Sequence, residues 1–485
     1  MIDVTPFTGN WYVALPALLV AATGMLVMAA DLVIQGPDRD GLAVLGMLGL
    51  AAAAATAVWL WVAGGVPGGF QDTLRGDRFA LFFTVLICAG SLLTILMSID
   101  YLRDQPIAAG EYHALLLLST SGMIFLAAAN DLIVLFLALE IMSVAVYVLA
   151  GLLRREVRST EAALKYFLLG AFATGFLLYG IAFFYGATGS TRLDVIAQAV
   201  ASDGLRPMTV LGIALVLVGL GFKVALVPFH VWTPDVYEGA PTAVTAFMAV
   251  GVKAAAFAAL ARVFMAGLGG VSASWTGLLW LLAALTMTVG NVTAVKQRSV
   301  KRMLAYSSIA HAGYALVGVV AVTRDGGAAL LFYLSTYVFM TLGAFAVVIA
   351  LGRRGEPNED LADWAGVGFR HPILGLSMAV FMLSLAGIPP TAGFAGKFYL
   401  FSAAIDAGYV GLAIIGVLNS VISVYYYLGV LVAMYMAEGT RPIPRPSSRP
   451  YLVATIVVSA AATLLIGVLP ATPMELARLA FLSLR

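Results

Sequence analysis

The sequence predicts an all-α integral membrane protein of about fourteen transmembrane helices, built as two inverted five-helix repeats with helices 7 and 12 discontinuous. Three observations carry that prediction. Apolar residues fill 62% of the 485 positions and charged residues only 11%, about half the charged share of an ordinary soluble domain. Apolar stretches of roughly 20 residues, the length that crosses a bilayer's hydrocarbon, recur along the chain. The few ionisable residues inside those stretches recur at a repeating interval.

The spans begin near Trp11, Leu42, Arg78, His113, Leu132, Glu161, Met208, Pro241, Trp275, Arg302, Gly327, Pro372, Gly408 and Tyr451, each bounded by glycine, proline or charge. The first, Trp11 to Ile34, is too long for a signal sequence core and lacks a basic lead-in, so it is expected to stay in the membrane. The seventh passes Lys223, meets Pro228 and continues through Trp232 and Pro234; the twelfth is interrupted at Gly387-Ile388-Pro389-Pro390. Proline has no amide hydrogen and clashes one turn back, so both helices should break there. Broken backbone at membrane depth survives only where protein buries it or it lines a wet cavity. The expected organisation is a single membrane domain: three N-terminal helices over 1–112, a first repeat of helices 4–8 over 113–266, a second of helices 9–13 over 275–436, and a last helix with its tail over 451–485. The stretch Arg441 to Pro450 reads as a linker.

Charge and composition exclude several classes. Net charge is +2, with no basic patch that points to a nucleic-acid partner. The one cysteine, Cys88, allows neither a disulfide framework nor a cysteine-held iron–sulfur cluster. No Gly-x-Gly-x-x-Gly, His-Glu-x-x-His or other metal-ligand spacing occurs, so no cofactor is expected in the chain. Odd-numbered loops hold fifteen Lys and Arg against eight in the even-numbered loops and tail. The positive-inside rule therefore predicts odd loops in the cytoplasm and both termini on the opposite side.

Four of the 27 basic residues fall inside predicted spans: Lys165, Lys223, Lys253 and Lys397. Every arginine goes to a loop, a span end or the tail. Arginine holds its charge at any physiological pH, whereas a buried lysine can give up its proton. A charge at mid-bilayer costs about 3 kcal/mol or more, so such residues usually serve a function. Lys253 lies near the centre of the eighth span, too deep to reach the headgroups. Lys223 and Lys397 flank the two breaks; the plain alternative is that they satisfy freed carbonyls. Lys165, one turn inside its helix, is explained as well by snorkelling. Glu140 is the only carboxylate deep in a span and is expected to be protonated or paired with a lysine. His311 lies mid-span in the tenth helix, where a relay role competes with that of a satisfied hydrogen-bonder. His230, beside Pro228, is evenly balanced.

The spacing of these residues exposes a repeat. Glu140 lies eight residues into the fifth span and His311 nine into the tenth; Lys223 follows Glu140 by 83 residues and Lys397 follows His311 by 86. The offset of 171–174 residues covers five spans, and an odd number inverts the second unit. Inverted repeats with discontinuous helices carry ion sites near the midplane.

The strings Ala163-Leu-Lys-Tyr-Phe-Leu-Leu-Gly-Ala171, Gly221-Phe-Lys-Val-Ala-Leu-Val-Pro-Phe-His-Val-Trp-Thr-Pro-Asp-Val-Tyr-Glu-Gly-Ala-Pro-Thr242, Lys301-Arg-Met-Leu-Ala-Tyr-Ser-Ser-Ile-Ala-His-Ala-Gly-Tyr314 and Ala386-Gly-Ile-Pro-Pro-Thr-Ala-Gly-Phe-Ala-Gly-Lys-Phe398 resemble the antiporter-like membrane subunits of respiratory complex I, NADH:quinone oxidoreductase. The resemblance spans about residues 10 to 470 and is greatest to the chain N group. Lysine at 397, where the chain M group has glutamate, and the lack of the chain L group's long lateral helix favour that choice. The resemblance implies a bacterial inner-membrane protein with periplasmic termini, packed against other membrane-arm subunits and coupled to a peripheral arm that holds FMN and iron–sulfur clusters and delivers electrons from NADH to quinone. It also implies proton-transfer roles for Glu140, Lys223, Lys253 and Lys397, with His311 on the connecting axis and Lys165 the weakest assignment.

The mechanism expected is a proton chain along the membrane plane. A Glu140–Lys223 ion pair at 4 Å is worth about 4 kcal/mol at an effective dielectric near 20, and separating the pair releases that hold on the lysine's proton. Lysines repel metal cations, so protons rather than sodium are expected. Two alternatives stay open on the residues alone: a subunit of a multi-subunit Na+/H+ antiporter, and a structural membrane-arm spacer that pumps nothing itself.

Overall fold

In hydrocarbon, every backbone N–H and C=O has to find a partner within the chain, and continuous helices achieve this locally. The computed structural model describes residues 10–34, 39–352, 358–438 and 449–484. Among them, thirteen helices are long and apolar enough to cross a membrane: Leu15–Val33, Asp40–Val62, Arg78–Asp104, Ala109–Ala128, Leu132–Ala150, Val157–Thr188, Pro207–Val224, Thr242–Gly267, Thr276–Ala294, Val300–Val320, Arg324–Leu351, Val410–Met436 and Pro450–Val468. The remaining predicted span, the twelfth, consists of two 15-residue halves, Pro372–Ala386 and Ala392–Asp406, each too short to cross alone.

Both predicted breaks are present. The first half of the seventh span stops at Val224, where Ala225 adopts a left-handed conformation (φ 64°), and helix resumes only at Thr233–Gly239. In the twelfth span Gly387 (φ 87°) ends the first half, a conformation that glycine adopts without a steric penalty. Each break contains a cis X–Pro bond, Val227-Pro228 and Pro389-Pro390.

Burial sorts the helices. In the eighth span every residue of the most apolar stretch is buried, and in the tenth 94% of it, whereas the first two and the last show mostly exposed apolar faces. The eighth and tenth spans are thus the axis of the molecule, which carries Lys253 and His311 into its interior. A π-turn, Met248–Val252, stands immediately before Lys253, the kind of helix irregularity that often marks a functional position.

Some elements were not predicted. Leu193–Asp203 forms an 11-residue helix that buries Leu193, Ile196 and Val200, a one-sided apolar stripe too short to span. Val66–Gly69 and Leu74–Gly76 pair as a small antiparallel hairpin, and Ala471–Leu482 forms a terminal helix. Residues 441–448 of the predicted linker lie outside the described residues.

Two basic residues assigned to loops are enclosed instead. Arg262 is 2% exposed; its guanidinium donates to both oxygens of Asp77 at 2.8 Å and to the Ala127 carbonyl at 2.9 Å. Lys301 is 3% exposed and donates to the Ala240 carbonyl at 2.7 Å, with Glu359 at 3.3 Å. Both sit near span ends, where neighbouring helices rather than headgroups cover them.

Candidate proton-transfer site

Lys223, Lys253, His311 and Lys397 are all buried, and each meets hydroxyls, backbone carbonyls or aromatic faces. Lys223 occupies the last turn before the first break. Its ammonium donates to the Tyr147 hydroxyl at 3.1 Å and lies 4.9 Å and 5.1 Å from the ring centres of Tyr147 and Tyr166. Tyr166 is stacked on Trp232 at 4.3 Å, and Trp232 donates its indole hydrogen to the Phe222 carbonyl. The break is therefore held by an aromatic cage whose electron-rich faces stabilise a cation.

The expected direct pair between Glu140 and Lys223 is absent: no ion-pair contact joins them, and Oε1 of Glu140 is buried without a hydrogen-bond partner. Glu140 and Tyr147 are seven residues apart, so they share a face of the fifth helix two turns, or about 10 Å, apart. Lys223 reaches the Tyr147 end of that face. Coupling between Lys223 and Glu140 is thus electrostatic across a gap rather than a contact, and the 4 Å figure does not apply to this state.

Lys253 donates to both the hydroxyl and the carbonyl of Ser308. The Lys253 ammonium lies 5.7 Å from the Tyr337 ring centre. His311, one turn along from Ser308, packs 5.1 Å from the same Tyr337 ring and 5.7 Å from Tyr314. Its Nδ1 meets the Tyr333 hydroxyl at 2.5 Å and its Nε2 the Tyr427 hydroxyl at 3.1 Å. Lys397 completes the cluster, 4.7 Å over the Tyr314 ring. It donates to the carbonyls of Ala386 at 2.9 Å and Leu385 at 3.1 Å, the unpaired end of the helix before the break. That end carries partial negative charge, which favours an ammonium.

Lys253, His311 and Lys397 thus form one contiguous cluster through Tyr337 and Tyr314, and Lys223 stands in its own cage. Lys165 joins neither. It is 40% exposed in its side chain and pairs with Glu161 at 2.7 Å and Asp235 at 2.6 Å on an outer surface where Arg302 also meets Asp235. The ring of tyrosines, Ser308 and the amides of Asn291 and Asn419 were not singled out in the sequence. Tyrosine and serine are common in helices, and no spacing rule marks which of them face a lysine.

Residues 129–423 match the family described as NADH:quinone oxidoreductase/Mrp antiporter, transmembrane. NADH-quinone oxidoreductase subunit N of Trichlorobacter lovleyi is 48% identical over 473 residues, 97% of each chain. A chain in respiratory complex I from Thermus thermophilus, solved with bound aureothin, is 39% identical and superposes with a TM-score of 0.81, over 95% of this chain and 98% of that one. A chain of the Mrp complex from Dietzia sp. shares the fold at a TM-score of 0.85 with 24% identity, over 98% of this chain and 97% of that one. The chain belongs to the NADH:quinone oxidoreductase/Mrp antiporter family of membrane proteins, in its subunit N branch.

Proposed function

We propose that this chain moves protons within the membrane arm of NADH:quinone oxidoreductase by way of Glu140, Lys223, Lys253, His311 and Lys397. It is a multi-pass protein of the bacterial inner membrane, a subunit of the translocase that holds no redox centre of its own. FMN and the iron–sulfur clusters belong to partner subunits, which pass electrons from NADH to quinone. The two repeats, residues 113–266 and 275–436, each supply one lysine at a broken helix, and Lys253 with His311 joins them. The odd loops face the cytoplasm and both termini the periplasm.

The observation that carries this reading is the state of the buried cations. None of Lys223, Lys253 and Lys397 is in ion-pair contact with a carboxylate; each is held by hydroxyls, carbonyls or aromatic faces. Such partners stabilise an ammonium without locking it, as a contact carboxylate would. A change of charge at Glu140, sent by a neighbouring subunit, then shifts Lys223 through space. The energy arrives as an electrostatic or conformational change.

The test is the reconstituted whole complex bearing Lys223→Met or Glu140→Ala. Proton pumping per electron should fall while the complex still assembles. A purely structural spacer predicts the reverse, with poor assembly and unchanged turnover in each assembled complex. Normal pumping per electron in both variants would remove the proposed roles.

A further inference from the structure

Building on the proton route above, we infer that Thr286 is a positioning residue: from the second repeat it holds the first helix break, and with it Lys223, in register with the span whose Ser308 holds Lys253. The reason begins with the amides of the break. Those of Ala225 and Leu226 close the end of the helix, donating back to the Phe222 carbonyl at 3.1 Å and the Gly221 carbonyl at 2.8 Å. Pro228 has no amide hydrogen to give. Val227 stands between them, four residues after Lys223, and is buried. A buried amide needs an acceptor, and this one finds it outside its own span, in the Thr286 hydroxyl at 3.0 Å.

Thr286 lies near the middle of the ninth span and is fully buried. Buried threonines of other spans turn their hydroxyls back onto the carbonyl four residues earlier, as Thr84, Thr94 and Thr120 do. Thr286 instead presents its oxygen to the seventh span. Around it the ninth span lies backbone to backbone against the tenth. A Cβ on Gly313 would stand 2.6 Å from the Met287 nitrogen and 3.0 Å from the Ala283 carbonyl oxygen, one on each side of Thr286. Helices packed that closely transmit displacement rather than absorb it. The tenth span carries Ser308, which holds Lys253, and His311. A shift of the tenth span therefore reaches the ninth and, through one hydrogen bond, the turn that follows Lys223. At the second break the corresponding hydroxyl is that of Ser384, which accepts the Gly393 amide at 3.1 Å within the same span. The first break takes this support from the other repeat, the second from its own.

The test uses the whole complex carrying Thr286→Val, Thr286→Ser or Thr286→Cys, reconstituted in vesicles. Proton pumping per electron in the assembled complex is measured together with amide hydrogen exchange over residues 225–233. Thr286→Val keeps the shape and removes the acceptor. Pumping should fall about fivefold, the worth of one net hydrogen bond, and exchange should rise. Thr286→Ser keeps the hydroxyl and should restore both. Thr286→Cys offers only a weak acceptor and should fall between them; it decides the question if valine prevents assembly. Combined with Tyr147→Phe, Thr286→Val should add little, because both changes loosen Lys223 from one cage. Wild-type pumping in the valine variant, or in the cysteine variant where valine does not assemble, would overturn the inference. So would failure of serine to rescue, unchanged exchange over the break, or additive loss with Tyr147→Phe, each leaving the route intact. Normal pumping in Lys223→Met would instead remove the route, and the inference with it.

Discussion

Lys223 donates its ammonium hydrogen to the hydroxyl of Tyr147, 3.1 Å away, across the interface between the seventh and fifth spans. The same ring presents its face to the cation at 4.9 Å. One side chain thus supplies two kinds of stabilisation, and substitution can separate them. Tyr147→Phe keeps the face and removes a bond to a charged group worth about 1.5–3 kcal/mol. Tyr147→Leu also removes the aromatic face, worth about 2 kcal/mol when desolvated. Proton pumping by the assembled complex should fall in Tyr147→Phe and further in Tyr147→Leu; equal loss in the two would show that the face contributes nothing.

Gly170, on the sixth span, makes room for that hydroxyl. A Cβ there would stand 2.1 Å from the Tyr147 oxygen. Helix propensity alone favours alanine over glycine by about 1 kcal/mol, but a rigid phenol cannot retreat from such an overlap. Gly170→Ala should therefore behave like Tyr147→Leu in pumping assays despite its better helix propensity. Wild-type pumping would mean that Tyr147 moves without consequence.

At the second break, Gly387 combines a positive φ of 87° with a close approach: a Cβ would lie 2.9 Å from Cδ of Lys397. Gly387→Ala meets a left-handed backbone penalty of about 1–2 kcal/mol and pushes Lys397 off the Ala386 and Leu385 carbonyls. The expected outcome is lower thermal stability of the complex together with reduced pumping. Loss of stability alone would separate the turn from the lysine's role.

The Arg262–Asp77 pair is a stability element, distant from the proposed route. Asp77 both receives the guanidinium and caps the third span through the Ala80 amide at 2.8 Å. Asp77→Ala strands a buried cation, at a cost of about 3–5 kcal/mol, and should lower the amount of assembled complex. Adding Arg262→Met removes the stranded charge and should recover much of that loss. No recovery in the double variant would show that the cap, and not the ion pair, is what matters.

Sequence and tertiary structure decided different things here. Lysines, a carboxylate and a histidine within apolar runs stand out in the sequence because a charge in hydrocarbon is costly whatever surrounds it. The two helix breaks stand out because proline's missing amide hydrogen is a local property. Span number, the burial of Lys223, Lys253, His311 and Lys397 and the paired breaks were legible for that reason. The partners were not. Whether Lys223 meets Glu140 or Tyr147 depends on how far one helix slides along another, and no residue spacing within a single chain segment records that. Arg262 and Lys301 looked like loop cations because a span end faces either headgroups or another helix, and only packing chooses. The tyrosine and asparagine shell around His311 gathers residues from the ninth, tenth, eleventh and thirteenth spans. Hydrogen bonds between distant segments form only once the helices are assembled, so that shell exists in the tertiary structure alone.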